Sequence, residues 1–203
     1  MPCSISKELI EKTIAFHGHS CPGLAIGIRV SEIALQKLGQ SGTNDLVAIV
    51  ETDMCGVDAI QFLTGCTFGK GNLIHKDYGK MAFSFYDRSQ SVGFRALLRP
   101  NILSGVAPEL HALRKKVADG VANEGERLQY EDLMKSVQER YMNADPEEMF
   151  ITMKPIFPVP RPARILQSLR CETCGEMSME SRTRRFDGKT LCLPCFEKPE
   201  QEI

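Results

Sequence analysis

The first part of the chain alternates between helical and strand-like spacing of apolar residues, which predicts a domain that mixes the two kinds of element. Ile10 and Ile14 lie four residues apart and predict a helix that ends near Phe16. Ser4 and Ser6 are candidates for its N-cap. The chain therefore opens with a helix, and the polar residues that follow interrupt it.

A second helix is predicted from Pro22 to the region of Gly39. Proline suits the first position of a helix, because that position needs no backbone donor, and glycine suits its C-terminal stop. The apolar residues between them keep helical spacing at Leu24, Ile28, Leu35 and Leu38.

Later segments predict further strands and helices. Short apolar runs predict strands at 46–51, 80–86, 92–98 and 150–154, and the two middle strands should pair around the polar residues 87–91. Helices are predicted at 57–63 and at 108–141, the latter broken near 120–125.

A proline-rich stretch marks the expected domain boundary, because proline fixes φ and removes a backbone donor. Its prolines are Pro155, Pro158, Pro160 and Pro162. We therefore expect an α+β core domain at 1–154 with a mixed helix and antiparallel-sheet architecture. A linker at 155–167 and a small four-cysteine module at 168–203 should follow it.

Composition and charge narrow the function classes. The chain has 203 residues, 42% hydrophobic and 25% charged, which is enough for one full domain and a small appendage. Its net charge of −1 demands no polyanionic partner. Residues 1–12 lack a signal-peptide pattern and the apolar runs are too short for a membrane span, so we expect a cytoplasmic protein. In a reducing compartment, eight cysteines favour metal binding or chemistry over disulfides.

The C-terminal cysteines predict a structural zinc site. Two C-x2-C pairs are separated by seventeen residues, which suits the tetrahedral four-thiolate geometry of zinc. The ligands would be Cys171, Cys174, Cys192 and Cys195. Gly175 permits a tight turn after the first pair, and Asp187-Gly188 is a hairpin turn signal. An iron–sulfur cluster also uses four cysteines, but the pairing favours a zinc ribbon or a treble clef.

The charge of this module argues against nucleic-acid binding. Arg182, Arg184 and Arg185 form a small basic cluster. From Arg161 to the end, however, eight Lys and Arg residues face seven Asp and Glu residues, and a zinc tetrathiolate adds −2. Only Phe186 and Phe196 offer rings for base stacking.

A second group of metal-type residues lies in the core. His17, His19 and Cys21 fall within five residues, and Cys21 occupies the expected N-cap of the second helix, where the helix dipole and free amides favour a thiolate. Cys55 follows a strand and begins a helix, with Asp53 and Asp58 on either side. Such donors from two loops suit a metal site with an open position, holding zinc or another transition metal such as nickel, iron or copper.

Plainer interpretations stay open for several residues. Cys55 and Cys66 also fit buried, small hydrophobic residues, and Cys3 near the terminus is expected to be inert. His75 and His111 stand alone and fit surface histidines. The glycine-rich stretch 69–72 is either an anion cradle or, more simply, a turn.

These motifs together resemble the FmdE family, which takes its name from formylmethanofuran dehydrogenase. The resemblance rests on His17-Gly18-His19-x-Cys21-Pro22-Gly23, Asp53-x-Cys55-x-x-Asp58-Ala59-Ile60-Gln61 and Thr64-Gly65-Cys66-Thr67-x-Gly69-Lys70-Gly71-Asn72. The strand pair near 83–86 and the four C-terminal cysteines extend it over nearly the whole chain. It implies an α+β core with a C-terminal zinc finger, a homodimer, and a core cluster of Cys, His and Asp that acts as a metal-dependent active site.

Three functions follow from these motifs and the resemblance. The favoured one is a metal-dependent enzyme or redox subunit associated with formylmethanofuran dehydrogenase. It would use His19, Cys21, Cys55 and Asp58 in catalysis, and would hold a second transition metal, zinc for preference, through His17, His19, Cys21 and Cys55. Its small-molecule substrate is not specified by the sequence. The alternatives are a metal-binding, delivery or scaffolding protein without catalysis, and a zinc-finger regulator.

Overall fold

A five-stranded sheet and the helices packed on it form the larger part of the molecule. The computed structural model describes residues 2–39 and 45–200. The chain divides into two compact units, Met1–Pro162 and Ala163–Ile203. Within the first unit the helices are α1 (Lys7–His17), α2 (Pro22–Leu38), α3 (Gly56–Thr64), α4 (Ala107–Ala118), α5 (Glu124–Asn143) and α6 (Pro146–Met149). The strands are β1 (Leu46–Val50), β2 (Leu73–His75), β3 (Ala82–Asp87), β4 (Val92–Leu98) and β5 (Phe150–Met153).

The sheet has the order β2-β1-β3-β4-β5, and only the β1–β2 pair is parallel. The predicted α+β class and the predicted pairing of the two middle strands are therefore confirmed. Strand β2 and helix α6 were not predicted. With three and four residues, both are too short for a periodic pattern, and tertiary pairing alone defines them.

Alternation along β1 and β3 separates the two faces of the sheet. One face presents residues such as Ala48, Val50, Phe83 and Phe85 to the main core, which α2 also lines. The opposite face carries a smaller cluster around Tyr86, so both faces are buried and β1 and β3 contain no exposed position. The fully apolar sequence of β1 follows from this double burial.

Helices α2 and α3 meet through glycine backbones. A Cβ added at Gly27 would lie 2.1 Å from the carbonyl oxygen of Gly56, and one added at Gly56 would lie 2.9 Å from the carbonyl oxygen of Gly23. Neither approach tolerates a side chain. The contact brings the first residues of the two helices together, and these residues border the cysteines that cap each helix.

A buried ion pair fixes the end of β1. Arg95 donates from Nε and Nη2 to the two carboxylate oxygens of Glu51, at 2.6 and 2.9 Å. The Glu51 side chain is fully buried, and its backbone N–H donates to the carbonyl of Ala82 at 3.0 Å. Because Glu51 directly precedes the turn that carries Cys55, this pair sets the position from which that turn departs.

The proline-rich segment up to Pro162 belongs to the first unit. The Tyr86 hydroxyl donates to the carbonyl of Phe157 at 2.9 Å, and Arg88 donates to the carbonyls of Pro160 and Arg161 at 2.9 and 3.0 Å. Phe157 packs against the smaller cluster on the sheet. The division between the two units thus falls within the region predicted as a linker, at 155–167.

The second unit consists of two hairpins and a helix. Its strands are β6 (Ser168–Arg170), β7 (Met177–Met179), β8 (Thr183–Phe186) and β9 (Lys189–Cys192), and its helix is α7 (Leu193–Glu200). Asp187 and Gly188 form the turn between β8 and β9, both with positive φ, as the sequence predicted. In the part of the chain that the structure describes, no helix is long and apolar enough to pass through a bilayer.

The glycine contact between α2 and α3 generates a stability prediction. Gly27→Ala should lower the free energy of unfolding by about 3 kcal/mol, the upper end of the range for overpacking, because the clash is with backbone rather than with a flexible side chain. Urea denaturation followed by far-UV circular dichroism measures the change. Gly69→Ala is the control, because its added Cβ would meet nothing within 4 Å. Equal losses in both variants would contradict the packing argument.

Candidate functional site

Four metal-type side chains converge at the N-terminal ends of α2 and α3. One donor atom from each of His17, His19, Cys21 and Cys55 lies within 4.8 Å of all the others. Three donors come from the short segment that joins α1 to α2, and the fourth comes from the turn between β1 and α3. The glycine contact between the two helices is the reason that residues 34 positions apart in sequence meet here.

His17 has the orientation of a metal ligand. Its Nδ1 lies 2.7 Å from a carboxylate oxygen of Asp58, and its side chain is only 10% exposed. Its Nε2 is buried without a hydrogen-bond partner among the described residues. A carboxylate that accepts from Nδ1 fixes the tautomer in which Nε2 carries a free lone pair, and this is the usual arrangement of metal-binding histidines. The buried, unpartnered Nε2 therefore fits a bound ion.

The two cysteines cap the two helices. Cys21 is the N-cap residue of α2, and its sulfur accepts from the backbone N–H of Leu24 at 3.3 Å. Cys55 is the N-cap residue of α3 and makes no capping bond. Burial raises the pKa of the Cys55 thiol, and the neighbouring Cys21 raises it further. Two thiolates this close are mutually unfavourable unless a cation lies between them.

His19 is the most exposed of the four donors. Its residue is exposed, whereas the other three are partly buried. The His19 ring lies beside the His17 ring, with 4.4 Å between the ring centroids. The described structure gives the His19 side chain this contact and no hydrogen bond.

A cavity of about 430 Å³ opens beside His17 and Cys55. Asp53, Asp58 and Gln61 contribute polar groups to its wall. The apolar part of the wall comprises Val50, Met54, Val57, Phe68 and Leu73. Its volume suits a small organic molecule. We refer to it as the Cys55 cavity.

A second cavity of about 570 Å³ lies on the other side of the cluster, between the 19–22 segment and α5. His19, Ser20, Cys21 and Pro22 form one wall. Helix α5 forms the other wall with Tyr130, Glu131, Met134, Lys135 and Gln138. Gln138 donates to the Ser20 hydroxyl at 2.7 Å and so ties the segment to α5. We refer to it as the α5 cavity.

Several residues that the sequence marked as candidates lie apart from this cluster. Cys66 is fully buried, and its thiol lies 3.4 Å from the carbonyl of Leu46, so it is a core residue with a pKa raised by burial. Cys3 packs with the α1 and α2 cluster. His111 is exposed on α4. Asp53 lines the Cys55 cavity, but Asp58 is the carboxylate that contacts His17.

The glycine-rich stretch 69–72 is a turn. The backbone N–H of Gly71, which has φ +70°, donates to the carbonyl of Phe68 at 3.0 Å. The side chain of Asn72 is buried, and its amide accepts from Thr67 and donates to the carbonyl of Leu46. Asn72 therefore holds the loop together rather than facing a ligand.

Three residues of the Cys55 cavity were not predicted as site residues. His75 reaches it because β2 pairs with β1 in parallel, and Gln61 reaches it from α3. Phe68, which is 77% exposed, forms part of its rim. No local spacing identifies these residues, since the unpredicted strand β2 and the loop before it bring them to the site.

The four C-terminal cysteines form a second cluster in the other unit, again with all four sulfurs within 4.8 Å of one another. The sulfurs of Cys174 and Cys192 are 3.8 Å apart, and a tetrahedral ion with Zn–S bonds of about 2.3 Å separates its sulfurs by about 3.8 Å. Cys171 and Cys174 lie in the turn between β6 and β7, while Cys192 ends β9 and Cys195 lies in the first turn of α7. The predicted four-cysteine module is confirmed.

The thiols of this cluster differ in acidity. The backbone N–H groups of Cys174 and Cys192 hold the pKa of the Cys171 thiol down to about 6. The Cys192 thiol and burial raise the pKa of Cys195 to about 12. Four thiolates in this space need a cation to offset their repulsion, so the donor set fits a structural zinc ion.

The arginines of the predicted basic cluster are exposed. Arg184 and Arg185 lie on β8, and Arg182 lies in the short 3₁₀ turn before it. The Arg185 guanidinium lies 3.4 Å from the hydroxyl of Thr190 across the hairpin, and the Arg184 guanidinium donates to the backbone carbonyl of Thr183.

Two family models match the chain. Residues 16–151 match FmdE, described as "Molybdenum formylmethanofuran dehydrogenase operon". Residues 164–201 match the prokaryotic dksA/traR C4-type zinc finger. The first match contains every residue of the core cluster, and the second contains the four C-terminal cysteines.

Similar proteins come from an archaeon and a bacterium. The chain is 35% identical over 204 residues to a probable S-adenosyl-L-methionine-binding protein of Archaeoglobus fulgidus, and the alignment covers 96% of this chain and 54% of that protein. The chain thus spans about half the length of this curated relative. A crystal structure of an FmdE-like protein of the tungsten formylmethanofuran dehydrogenase type, from Syntrophus aciditrophicus, matches with a TM-score of 0.61 and 26% identity. That match covers 95% of this chain and 92% of the other.

The zinc-finger geometry generates a second prediction. Cys171→Ser should remove one zinc ion per chain and unfold the second unit, because a module of about 40 residues has too small a core to fold without its metal. Elemental mass spectrometry gives the zinc content, and hydrogen exchange gives the loss of protection in residues 168–192. Protection in β1 and β3 serves as the internal control and should not change. A second unit that stays protected without zinc would refute the structural role of the metal.

Proposed function

The chain belongs to the FmdE family, and we propose that its core holds a transition-metal ion in a catalytic site for a small-molecule substrate. The observation that carries the proposal is the buried, unpartnered Nε2 of His17, whose Nδ1 is fixed by Asp58 and which lies next to two thiols and a second imidazole. An imidazole and two thiols with no cation between them would be a costly arrangement in a partly buried site.

Each residue has a distinct role in this proposal. His17, Cys21 and Cys55 hold the ion, and His19 completes the set. Asp58 is a positioning residue that accepts from His17 and so keeps the imidazole in its ligand tautomer. Sulfur and imidazole donors suit zinc and other soft or borderline transition metals. A bound ion would supply Lewis acidity to a group in the adjoining cavity.

The cavities favour catalysis over metal storage. A protein that only stores or delivers a metal needs a closed site, whereas this cluster is flanked by the Cys55 cavity of about 430 Å³ and by the α5 cavity of about 570 Å³. His19 is exposed, so the cluster is open on its side. A catalytic metal in proteins keeps such an accessible position, and a structural metal does not.

The family relationship supports one-carbon or redox chemistry without specifying it. The name of the FmdE model refers to a formylmethanofuran dehydrogenase operon, and the bacterial protein of similar structure is named after a tungsten form of that enzyme. An oxidoreductase role and association with subunits of such an enzyme stay predictions for this chain, as do the cytoplasmic location and the homodimer.

Metal content tests the proposal directly. Wild-type protein without an affinity tag should contain two metal ions per chain, one in the finger and one in the core. Cys21→Ser should contain one, because the variant loses a core ligand while the finger stays intact. Elemental mass spectrometry on both proteins gives the numbers.

Cys66→Ser is the matched control, because Cys66 is a core thiol outside the cluster. It should keep two ions even if the protein becomes less stable. One zinc ion in wild type and in all variants would refute the core metal site. Two ions in Cys21→Ser would show that the core ion is held elsewhere.

The Cys55 cavity also supports a second candidate function, the binding of S-adenosyl-L-methionine, which the name of the archaeal relative suggests. Among the described residues that line the cavity, Asp53 and Asp58 are acidic and none is Lys or Arg, so a sulfonium cation would be favoured over an anion. The exposed ring of Phe68 at the rim offers a surface on which an adenine can stack.

Calorimetry separates charge recognition from general affinity for this ligand. S-adenosyl-L-methionine should bind the full chain more tightly than S-adenosyl-L-homocysteine, which lacks the positive sulfur. Asp53→Asn should weaken the first ligand about fivefold, equivalent to ~1 kcal/mol for unit charges about 4 Å apart in water, and leave the second unchanged. Asp119→Asn, at the end of α4, is the control. Equal affinities for the two ligands would refute this assignment.

A further inference from the structure

The four donors of the core cluster are not equally constrained, and three of them have a contact that fixes their position. His17 is held by Asp58 at 2.7 Å. Cys21 accepts from the backbone N–H of Leu24 at 3.3 Å. Cys55 begins α3 and packs against α2, since a Cβ added at Gly23 would lie 3.2 Å from its Cβ. These three donors are preorganised whether or not an ion is bound.

His19 differs from them. Its residue is exposed, and among the described residues its ring contacts His17 but accepts and donates no hydrogen bond. It follows Gly18, which has φ +93° and no heavy atom within 4 Å of an added Cβ, so the backbone before it is not packed. The side chain can therefore rotate without displacing any packed group.

The α5 cavity gives the His19 side chain a place to move to and gives an external ligand a route to the cluster. His19 and Cys21 lie in its wall, opposite Tyr130 and Met134 of α5. The backbone of the segment need not open, because the Ser20 hydroxyl is tied to Gln138 at 2.7 Å. Exchange at this position requires only a change of side-chain rotamer.

We propose that His19 is an exchangeable ligand of the core metal, and that a small ligand with a nitrogen or sulfur donor takes its place from the α5 cavity. This inference rests on the proposed function, since it needs an ion in the core. The donor type follows from the two thiols and the imidazole that remain, which select metals that accept soft or borderline donors. The wall contains one acidic and one basic side chain, Glu131 and Lys135, so a neutral thiol or imidazole-type ligand suits it.

Exchange would give the site the open position that a catalytic metal requires. With His19 in place the ion has four protein ligands, and with His19 rotated away it has three and a free position facing the α5 cavity. An external ligand then competes with a tethered imidazole. Its apparent affinity is lowered by the fraction of molecules in which His19 remains bound.

Cobalt-loaded protein tests the exchange with imidazole as the probe. The spectrum of the Cys21→Ser variant represents the finger alone, and subtracting it leaves the core bands. His19→Ala should keep two cobalt ions per chain, and imidazole should change its core bands with saturation. Its affinity for imidazole should be about tenfold higher than in wild type, because the competing side chain is absent. His17→Ala should keep only one ion.

The outcomes distinguish failure of the exchange from failure of the proposed function. Two ions in wild type but one in a folded His19→Ala would overturn the exchange and leave the metal site in place. Two ions in His19→Ala with core bands that ignore imidazole would also overturn it. One ion in wild type would refute the proposed function itself. If circular dichroism shows that His19→Ala is unfolded, the same measurements on His19→Gln decide between these outcomes.

Discussion

The contact between the backbones of Gly27 and Gly56 is the constraint on which the candidate site depends. A side chain at either position would collide with main-chain atoms of the opposite helix, so α2 and α3 reach this separation only because both residues are glycine. The N-terminal ends of the two helices consequently lie side by side. Each end is capped by a cysteine, and the two thiols thus enter the same cluster of donors as His17 and His19.

The elements around this contact hold the second half of the site in place. The bidentate pair of Glu51 and Arg95 fixes the end of β1 just before the turn that carries Cys55. Asp58, one turn into α3, then reaches His17 at the end of α1. Burying an ion pair is costly unless its geometry is good, and here both carboxylate oxygens accept from the guanidinium. The sheet, α1 and the two glycine-packed helices are therefore coupled through the donor cluster.

The two cysteine clusters represent two different uses of the same ligand chemistry. The four sulfurs of the second unit come from two hairpins and a helix that have little core of their own, with Cys171 and Cys192 buried beside Leu191. The core cluster lies on a preformed scaffold, mixes imidazole with thiol, and is flanked by two cavities. A site that supplies folding energy is closed, whereas a site on a rigid scaffold with adjoining space is suited to chemistry.

The sequence by itself determined the local features of this protein: the helices bounded by Pro22 and Gly39, the apolar strand β1, the Asp187-Gly188 hairpin and the C-x2-C pairs. All of these depend on interactions between near neighbours, so spacing and residue type were sufficient to predict them. Proximity of His17, His19 and Cys21 was also visible, because they lie in one segment. Only the tertiary structure decided that Cys55 joins them while Cys66 is buried in the core, and that His75 and Phe68 border a cavity. Those outcomes depend on the approach of α2 to α3 and on the parallel pairing of β2 with β1, which are packing relations between distant segments that no local pattern encodes.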